Sequence, residues 1–282
     1  MESFLAPFEF AFFRNGLIVA TLAGALCGLV GTYVVLKGMS YIGHGLSHAI
    51  FGGFAASALL GVNLILGAGV WGFASALMIG GVTRRRAIGS DAAIGVITTA
   101  SFAFGLALIK VFGSAGKNAD SYLFGNVLGV DTGQVVLVTV VTVLAGAVVF
   151  FGYRPLMFST FDPEVADVSG VRTARMDALL MLVLAATILA TMNVIGVVLV
   201  AATLVIPPVV ARMLTNSFSR MLWLSTGIGA ACGFVGMTLS YHLDIPSGPM
   251  IVLTGTALFT VVFLVTGTRG LRRVGGVDAD LG

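Results

Sequence analysis

The stretch GLIVATLAGALCGLVGTYVVL, residues 16–36, contains no charged side chain. A helix of about 20 mostly apolar residues is long enough to cross the hydrocarbon core of a bilayer. Uncharged runs of suitable length follow at about 49–66, 67–83, 92–109, 134–152, 178–193, 194–211, 222–240 and 249–267. These nine runs predict an all-α, polytopic membrane helix bundle with about eight or nine transmembrane helices, forming one domain over residues 1–282.

The composition supports the same fold class. The chain is 58% hydrophobic and only 10% charged, whereas a soluble domain carries about 25% charged residues. The runs at 178–193 and 194–211 meet near Asn193 and Gly196, which predicts that one of these two helices is short or broken.

The basic residues predict the orientation in the membrane. With the N-terminus outside, the outer loops hold Arg14, Lys110 and Lys117. The inner side then holds the other Lys and Arg residues: Lys37, Arg84, Arg85, Arg86, Arg154, Arg172, Arg175, Arg212, Arg220, Arg269, Arg272 and Arg273. An excess of basic residues in the cytoplasmic loops is the usual pattern of membrane proteins. We therefore predict an N-out, C-in topology with an odd number of spans.

Glycine and proline predict the packing and the breaks of the helices. Glycines recur at four-residue spacing in three places, Gly24 and Gly28, Gly125 and Gly129, and Gly229 and Gly233. Small residues at this spacing let helices approach closely inside a membrane. Pro207 and Pro208 each lack an amide donor and crowd the preceding turn. We expect them to end or bend the span, so that a helix restarting at Val209 lies in the interface.

The sequence lacks the motifs that are typical of zinc proteases, serine hydrolases and P-loop ATPases. No HExxH or GxSxG motif occurs, and GSAGKN, residues 113–118, lacks the spacing of a phosphate-binding loop. Asp244 has no second acid at membrane depth with which to hydrolyse a substrate. We therefore expect a protein that is not an enzyme and does not hydrolyse ATP by itself.

Two of the three histidines lie in GHGLSH, residues 43–48. His44 and His48 are four residues apart, so on a helix they project from one face and can present two ring nitrogens to one cation. Imidazole suits zinc, iron and copper, and also manganese when oxygen ligands join it. The alternative is a pair of interfacial or hydrogen-bonded core histidines. The third histidine, His242, lies near Asp244 in a stretch that also fits a simple turn.

Four segments together resemble the permease subunits of metal-ion ABC importers, which move zinc, manganese or iron. They are LKGMSYIGHGLSHAIFGGFAASALLG (36–61), YLFGNVLGVD (122–131), FDPEVADVSGVRTARMDALL (161–180) with IGVVLVAATLVIPPVVARML (195–214), and YHLDIPSGPMIVL (241–253). The resemblance implies a bundle related to that of the vitamin B12 importers. It also implies a permease homodimer in the bacterial cytoplasmic membrane, two cytoplasmic ATPase subunits and an extracellular or periplasmic metal-binding protein. The transported Mn²⁺ or Zn²⁺ is cargo, and no permanently bound cofactor is expected.

The resemblance further assigns residues to two roles. The coupling region that docks into the ATPase would be residues 204–221, flanked by 154–177. Its candidate residues are Pro207, Pro208, Arg212, Asn216, Arg220, Asp162 and Glu164. His48 matches a metal ligand of the family directly, and Asp244 matches the family's Asp in DxPSG. His44 stands where the family usually has an aspartate, so the site loses a negative charge and becomes softer.

The predicted topology separates the candidate ligands. It puts His44 and His48 near the inner end of the second span, and His242 and Asp244 near the outer face. At 1.5 Å per residue these groups are about a membrane thickness apart, unless the second span is broken. We expect a transient site at the two histidines, with Asp244 at an outer gate and His242 as a weaker candidate. The alternatives are an importer of a metal chelate or haem, and an ion-coupled secondary carrier.

Overall fold

The computed structural model describes residues 6–84, 90–112, 130–197 and 199–277. Every regular element in these ranges is helical, which confirms the all-α class. A short 3₁₀ helix at Ala6–Glu9 precedes the α-helices. The α-helices are α1 (Ala11–Leu36), α2 (Ile42–Leu60), α3 (Leu64–Arg84), α4 (Ser90–Phe112), α5 (Thr132–Phe151), α6 (Tyr153–Phe161), α7 (Pro163–Val168), α8 (Thr173–Ile195), α9 (Val200–Leu214), α10 (Phe218–Leu243) and α11 (Ser247–Val277).

Nine of these helices overlap the nine apolar runs, although α2 begins and ends earlier than its run at 49–66, which extends into α3. Within the described residues, the segments long and apolar enough to cross a membrane are Ala11–Leu36, Leu64–Thr83, Thr132–Phe151, Thr173–Met192, Phe218–Leu243 and Ser247–Thr266. Two shorter apolar helical segments, Ala92–Leu108 and Val200–Leu214, belong to α4 and α9. The α2 helix, 19 residues long, is separated from α3 by the turn at 61–63. The chain is therefore a multi-pass helical membrane protein.

The first and tenth helices pack backbone against backbone. A Cβ on Gly24 would collide with the carbonyl of Gly229, and a Cβ on Gly229 would collide with the carbonyl of Gly24. One turn along, the Ser225 hydroxyl donates to the Gly28 carbonyl over 2.6 Å. The prediction from glycine spacing is confirmed at both of these pairs. The third pair, Gly125 and Gly129, lies outside the described residues.

The second helix is enclosed by its neighbours on two sides. A Cβ on Gly52 would strike the Ser101 carbonyl of α4, and a Cβ on Gly53 would strike the Trp71 side chain of α3. The turn between α2 and α3 is made by Gly61, with φ +65°, and by Asn63. The Asn63 side chain accepts hydrogen bonds from two amides of the first turn of α3. The stretch GHGLSHAIFGGF, which belongs to α2, is thus held in a fixed place between α3 and α4.

The predicted break between the sixth and seventh apolar runs is present. The α8 helix ends at Ile195, and Gly196 adopts φ 90°, ψ 145° before α9 begins at Val200. Two side chains satisfy carbonyls near this end of α8. Gln134 donates to the Ala190 carbonyl over 2.8 Å, and Ser247 donates to the Val194 carbonyl over 2.9 Å.

The prediction that the span ends at Pro207 and Pro208 and a new helix restarts at Val209 is wrong. The α9 helix continues through both prolines to Leu214, and no separate interfacial helix begins at Val209. Pro208 cannot donate to the Leu204 carbonyl, and this carbonyl lies where a Cβ on Gly31 would sit. Since Gly31 has no side chain, the Leu204 carbonyl packs directly against the backbone of α1. Membrane helices tolerate proline where neighbouring helices accommodate the freed backbone groups.

The polar segment 154–177 is helical for most of its length. The Asp162 side chain caps α7 by accepting from the Val165 amide over 2.9 Å. The Asp167 side chain accepts from the Thr173 hydroxyl over 2.7 Å at the start of α8. These two caps join α6, α7 and α8 into one folded elbow, which the sequence reading treated only as a connecting stretch.

Several predictions from the sequence lie outside the described residues. They concern GSAGKN at 113–118, most of YLFGNVLGVD at 122–131, and the basic residues Arg85, Arg86 and Lys117.

Candidate functional site

The two histidines of GHGLSH face each other on α2. Their Nε2 atoms are 3.2 Å apart, and the rings meet edge to face with centroids 4.5 Å apart. Both side chains are half-buried. This is hydrogen-bond distance, and the tautomers of the two rings decide which nitrogen is the donor.

This spacing suits a shared cation. Two nitrogen ligands at zinc-ligand distances around a tetrahedral ion are separated by about 3.3 Å, close to the observed 3.2 Å. A divalent ion bound by both nitrogens would therefore require little change in their separation. Both imidazoles must then be neutral, with their Nε2 lone pairs directed at the ion.

The glycines on either side of His44 explain how the pair is positioned. A Cβ on Gly43 would meet the Leu204 side chain of α9, and a Cβ on Gly45 would meet Ile94 and Thr98 of α4. The Ser47 hydroxyl, fully buried, donates to the His44 carbonyl over 2.8 Å. The backbone of the pair is thus fixed by two neighbouring helices.

Two aromatic rings that sequence reasoning missed complete the surroundings. Phe102 of α4 lies against His48, with ring centroids 4.7 Å apart, and Tyr41 lies 5.6 Å from His44. The Nδ1 atom of His48 is buried and has no hydrogen-bond partner among the described residues. Tyr41 precedes the pair by one helical turn and could have been found from its spacing, whereas Phe102 comes from another helix.

The other two candidate ligands are placed differently. His242 is exposed, and its Nδ1 atom bonds to the Thr238 carbonyl over 2.8 Å. Asp244 is exposed and ends α10 in the left-handed conformation, with φ 52° and ψ 41°. No group of three or more His, Cys, Asp or Glu side chains able to hold a metal occurs in the part of the chain that the structure describes. The structure therefore brings His44 and His48 together and does not add Asp244 to them.

The motif around Asp244 has a structural use. The Ser240 hydroxyl donates to the Ile245 carbonyl over 2.6 Å, which closes the turn between α10 and α11. Ser247, at the start of α11, is the residue that binds the Val194 carbonyl at the end of α8. The stretch DIPSG thus holds three helix ends together.

The residues predicted for ATPase coupling fall into two environments. Pro207 and Pro208 are buried within α9. The remaining ones are exposed: Arg212, Asn216, Arg220, Asp162 and Glu164. Asn216 lies between α9 and α10, and Asp162 lies between α6 and α7. Their assignment to coupling stays a prediction.

Known proteins resemble this chain over nearly its whole length. The manganese transport system membrane protein MntC of Listeria innocua is 34% identical over 263 residues, covering 93% of this chain and 94% of MntC. The manganese import system permease protein ScaB of Streptococcus parasanguinis is 35% identical, covering 91% of each chain. The probable iron transport system membrane protein of Haemophilus influenzae is 33% identical, covering 94% and 97%.

Solved structures share the fold. The PsaBC structure from Streptococcus pneumoniae in complex with Fab matches with a TM-score of 0.83 and 30% identity, covering 93% of this chain and 94% of that one. An inward-facing putative metal-chelate type ABC transporter matches with a TM-score of 0.71 at 17% identity, covering 89% and 85%, and it shows the fold alone. The model of the ABC 3 transport family matches residues 9–266. The resemblance found in the sequence is therefore confirmed, and the chain belongs to the ABC 3 transport family.

Proposed function

We propose that this chain is the permease subunit of an ATP-driven importer of a divalent transition metal, with His44 and His48 as a transient site on the translocation path. The observation that carries the proposal is the 3.2 Å separation of the two Nε2 atoms. The named transport substrates of the similar proteins, manganese and iron, agree with a divalent cation as cargo. Zinc is a third candidate because two neutral imidazoles are good zinc ligands.

We infer the other subunits of the complex from the family to which the chain belongs. Two copies of this chain would form the path, two cytoplasmic ATPase subunits would drive it, and an extracellular or periplasmic protein would deliver the metal. We infer an N-out, C-in orientation in the bacterial cytoplasmic membrane, which requires an odd number of spans and fits the nine apolar helices. The coupling region is then residues 204–221, with α9 continuing through its prolines and the exposed Arg212, Asn216 and Arg220 facing the ATPase.

Two side-chain ligands suit a site that must release its ion. A conducting pathway must bind an ion well enough to admit it and weakly enough to let it leave. Water or a group from another subunit would complete the coordination of the metal. Because position 44 holds a neutral imidazole, the pair adds no negative charge, and the site should prefer softer divalent ions than an aspartate–histidine pair would.

The test is elemental analysis of the purified permease–ATPase complex after equilibration with Mn²⁺, Zn²⁺ or Fe²⁺ separately. We expect bound metal in the wild-type complex and its loss in His44→Ala/His48→Ala, with His242→Ala as the matched control that retains it. Equal metal content in the wild type and the double variant would refute the site. ATP-independent uptake driven by an ion gradient in proteoliposomes would instead support a secondary carrier.

A further inference from the structure

A half-buried ion pair links the end of α1 to the α6–α8 elbow. The Lys37 ammonium lies 2.6 Å from the Asp177 carboxylate of α8. The side chains are only 12% and 27% exposed. Removing one partner leaves the other charge half-buried and unpaired, which destabilises the arrangement that the pair holds.

The same ammonium caps a helix. Lys37 also donates to the Ser159 carbonyl over 3.2 Å. Ser159 lies in the last turn of α6, where the carbonyls lack partners within the helix. Lys37 therefore contacts α6 and α8 at once, on either side of the short α7.

An apolar cluster keeps the ion pair in place. Tyr33, one turn before Lys37, packs in a buried cluster with Leu156 of α6 and Leu180 of α8. Leu180 is one turn beyond Asp177 on α8, so the cluster and the ion pair join the same helices. The end of α1 is thus attached to the elbow by both apolar and ionic contacts.

In the sequence, Lys37 is followed closely by α2, the helix that carries His44 and His48. The α1 helix ends in a turn in which the Met39 amide donates to the Val34 carbonyl and the Gly38 amide donates to the Val35 carbonyl. Gly38 has φ +68°, and these two bonds define a Schellman motif. The α2 helix begins at Ile42, so a fixed turn of a few residues separates Lys37 from His44.

We propose that Lys37 is a positioning residue that transmits movement of the α6–α8 elbow to the histidine pair. This inference rests on the proposed function, since segment 154–177 is there taken to flank the ATPase contact. Its ion pair with Asp177 and its bond to Ser159 make the elbow and the start of α2 move together. Without Lys37, ATP hydrolysis continues while the histidine pair no longer follows it.

The experiment measures metal ions transported per ATP hydrolysed by the complete complex in proteoliposomes. We expect Lys37→Met to lower this ratio roughly tenfold, within the usual range of coupling between sites, and Asp177→Asn to lower it similarly. The exchanged pair Lys37→Asp/Asp177→Lys should recover most of the ratio. Arg14→Met is the matched control, because Arg14 is an exposed basic residue at the opposite end of α1 from Lys37.

The outcomes separate this inference from the proposed function. An unchanged ratio in Lys37→Met, or a loss that the exchanged pair does not reverse, overturns the role of the ion pair. If Lys37→Met does not assemble, an unchanged ratio in Asp177→Asn overturns it equally. The proposed function fails instead if the wild-type complex transports no metal, or if His44→Ala/His48→Ala transports as well as wild type.

Discussion

The two histidine-bearing regions of this protein use similar residues in opposite settings. At the start of α2, His44 and His48 are half-buried and face each other, with glycine on both sides of His44. At the end of α10, His242 and Asp244 are exposed, and one nitrogen of His242 is already bonded to its own helix. Ligand atoms are thus present in both places, and in the first region two ring nitrogens lie 3.2 Å apart.

The comparison shows that the packing and hydrogen bonds around a histidine determine which role its ring nitrogens can take. The α2 pair is held by helices packed against Gly43 and Gly45, so its geometry is preset. The α10 residues instead belong to a turn whose bonds, such as Ser240 to the Ile245 carbonyl, serve the connection to α11. The first region is suited to binding an ion, and the second to joining helices.

Removing one histidine from each region tests this difference most directly. We expect His48→Ala to lower the initial rate of metal uptake in proteoliposomes by roughly 100-fold or more, since loss of even an outer-shell partner costs a metal site 10–100-fold. His242→Ala should stay within about twofold of wild type, because His242 is exposed and its Nδ1 atom is already engaged by the Thr238 carbonyl of its own helix. Comparable losses in both variants would show that the two regions are functionally equivalent.

Adding a methyl group to each helix tests the packing difference. Gly52→Ala would drive a Cβ into the Ser101 carbonyl and force α2 away from α4, at a cost of roughly 1–3 kcal/mol. Gly227→Ala on α10 has no atom within 4 Å of its Cβ and should be neutral or slightly stabilising. The melting temperature of each complex in detergent measures both effects. An unchanged melting temperature for Gly52→Ala would mean that α2 is held loosely.

Neutralising the acid of the second region should have the smallest effect. Asn also tolerates the left-handed conformation of Asp244, so Asp244→Asn should leave the melting temperature unchanged. We expect about threefold slower uptake at low metal concentration and low salt, through loss of long-range attraction for the cation. The deficit should disappear at high ionic strength. A salt-independent loss of 100-fold would instead identify Asp244 as a direct ligand.

Much of the fold could be predicted from hydropathy, because each span must be apolar along its length. The nine runs match nine helices, and the break near Gly196 was visible as two runs without a connecting loop. The prediction of a helix end at the prolines failed because proline's effect on its own helix says nothing about the neighbouring helix. Here Gly31 of α1 accommodates the Leu204 carbonyl. The short helices α6 and α7 were missed because their polar caps resemble a loop in sequence.

The candidate site could be predicted in part. Spacing alone put His44 and His48 on one face, because four residues complete about one helical turn. The ring of Phe102 and the ion pair of Lys37 with Asp177 could not be found this way, because each joins distant helices. Spacing left Asp244 open both as a ligand and as a turn residue, and the structure gives it the conformation of a turn.

The break between α8 and α9 has a consequence for how the chain is made. With 15 residues, α9 extends only about 22 Å, less than the roughly 30 Å hydrocarbon core that a self-standing segment must cross. Its preceding turn is enclosed in protein, since Val194, Ile195 and Val197 are at most 1% exposed, and Ser247 binds there from a helix synthesised later. When α9 leaves the ribosome, its main packing partner α1 is already made, whereas α10 and α11 are still to come, so its place in the bundle is complete only with the last helix.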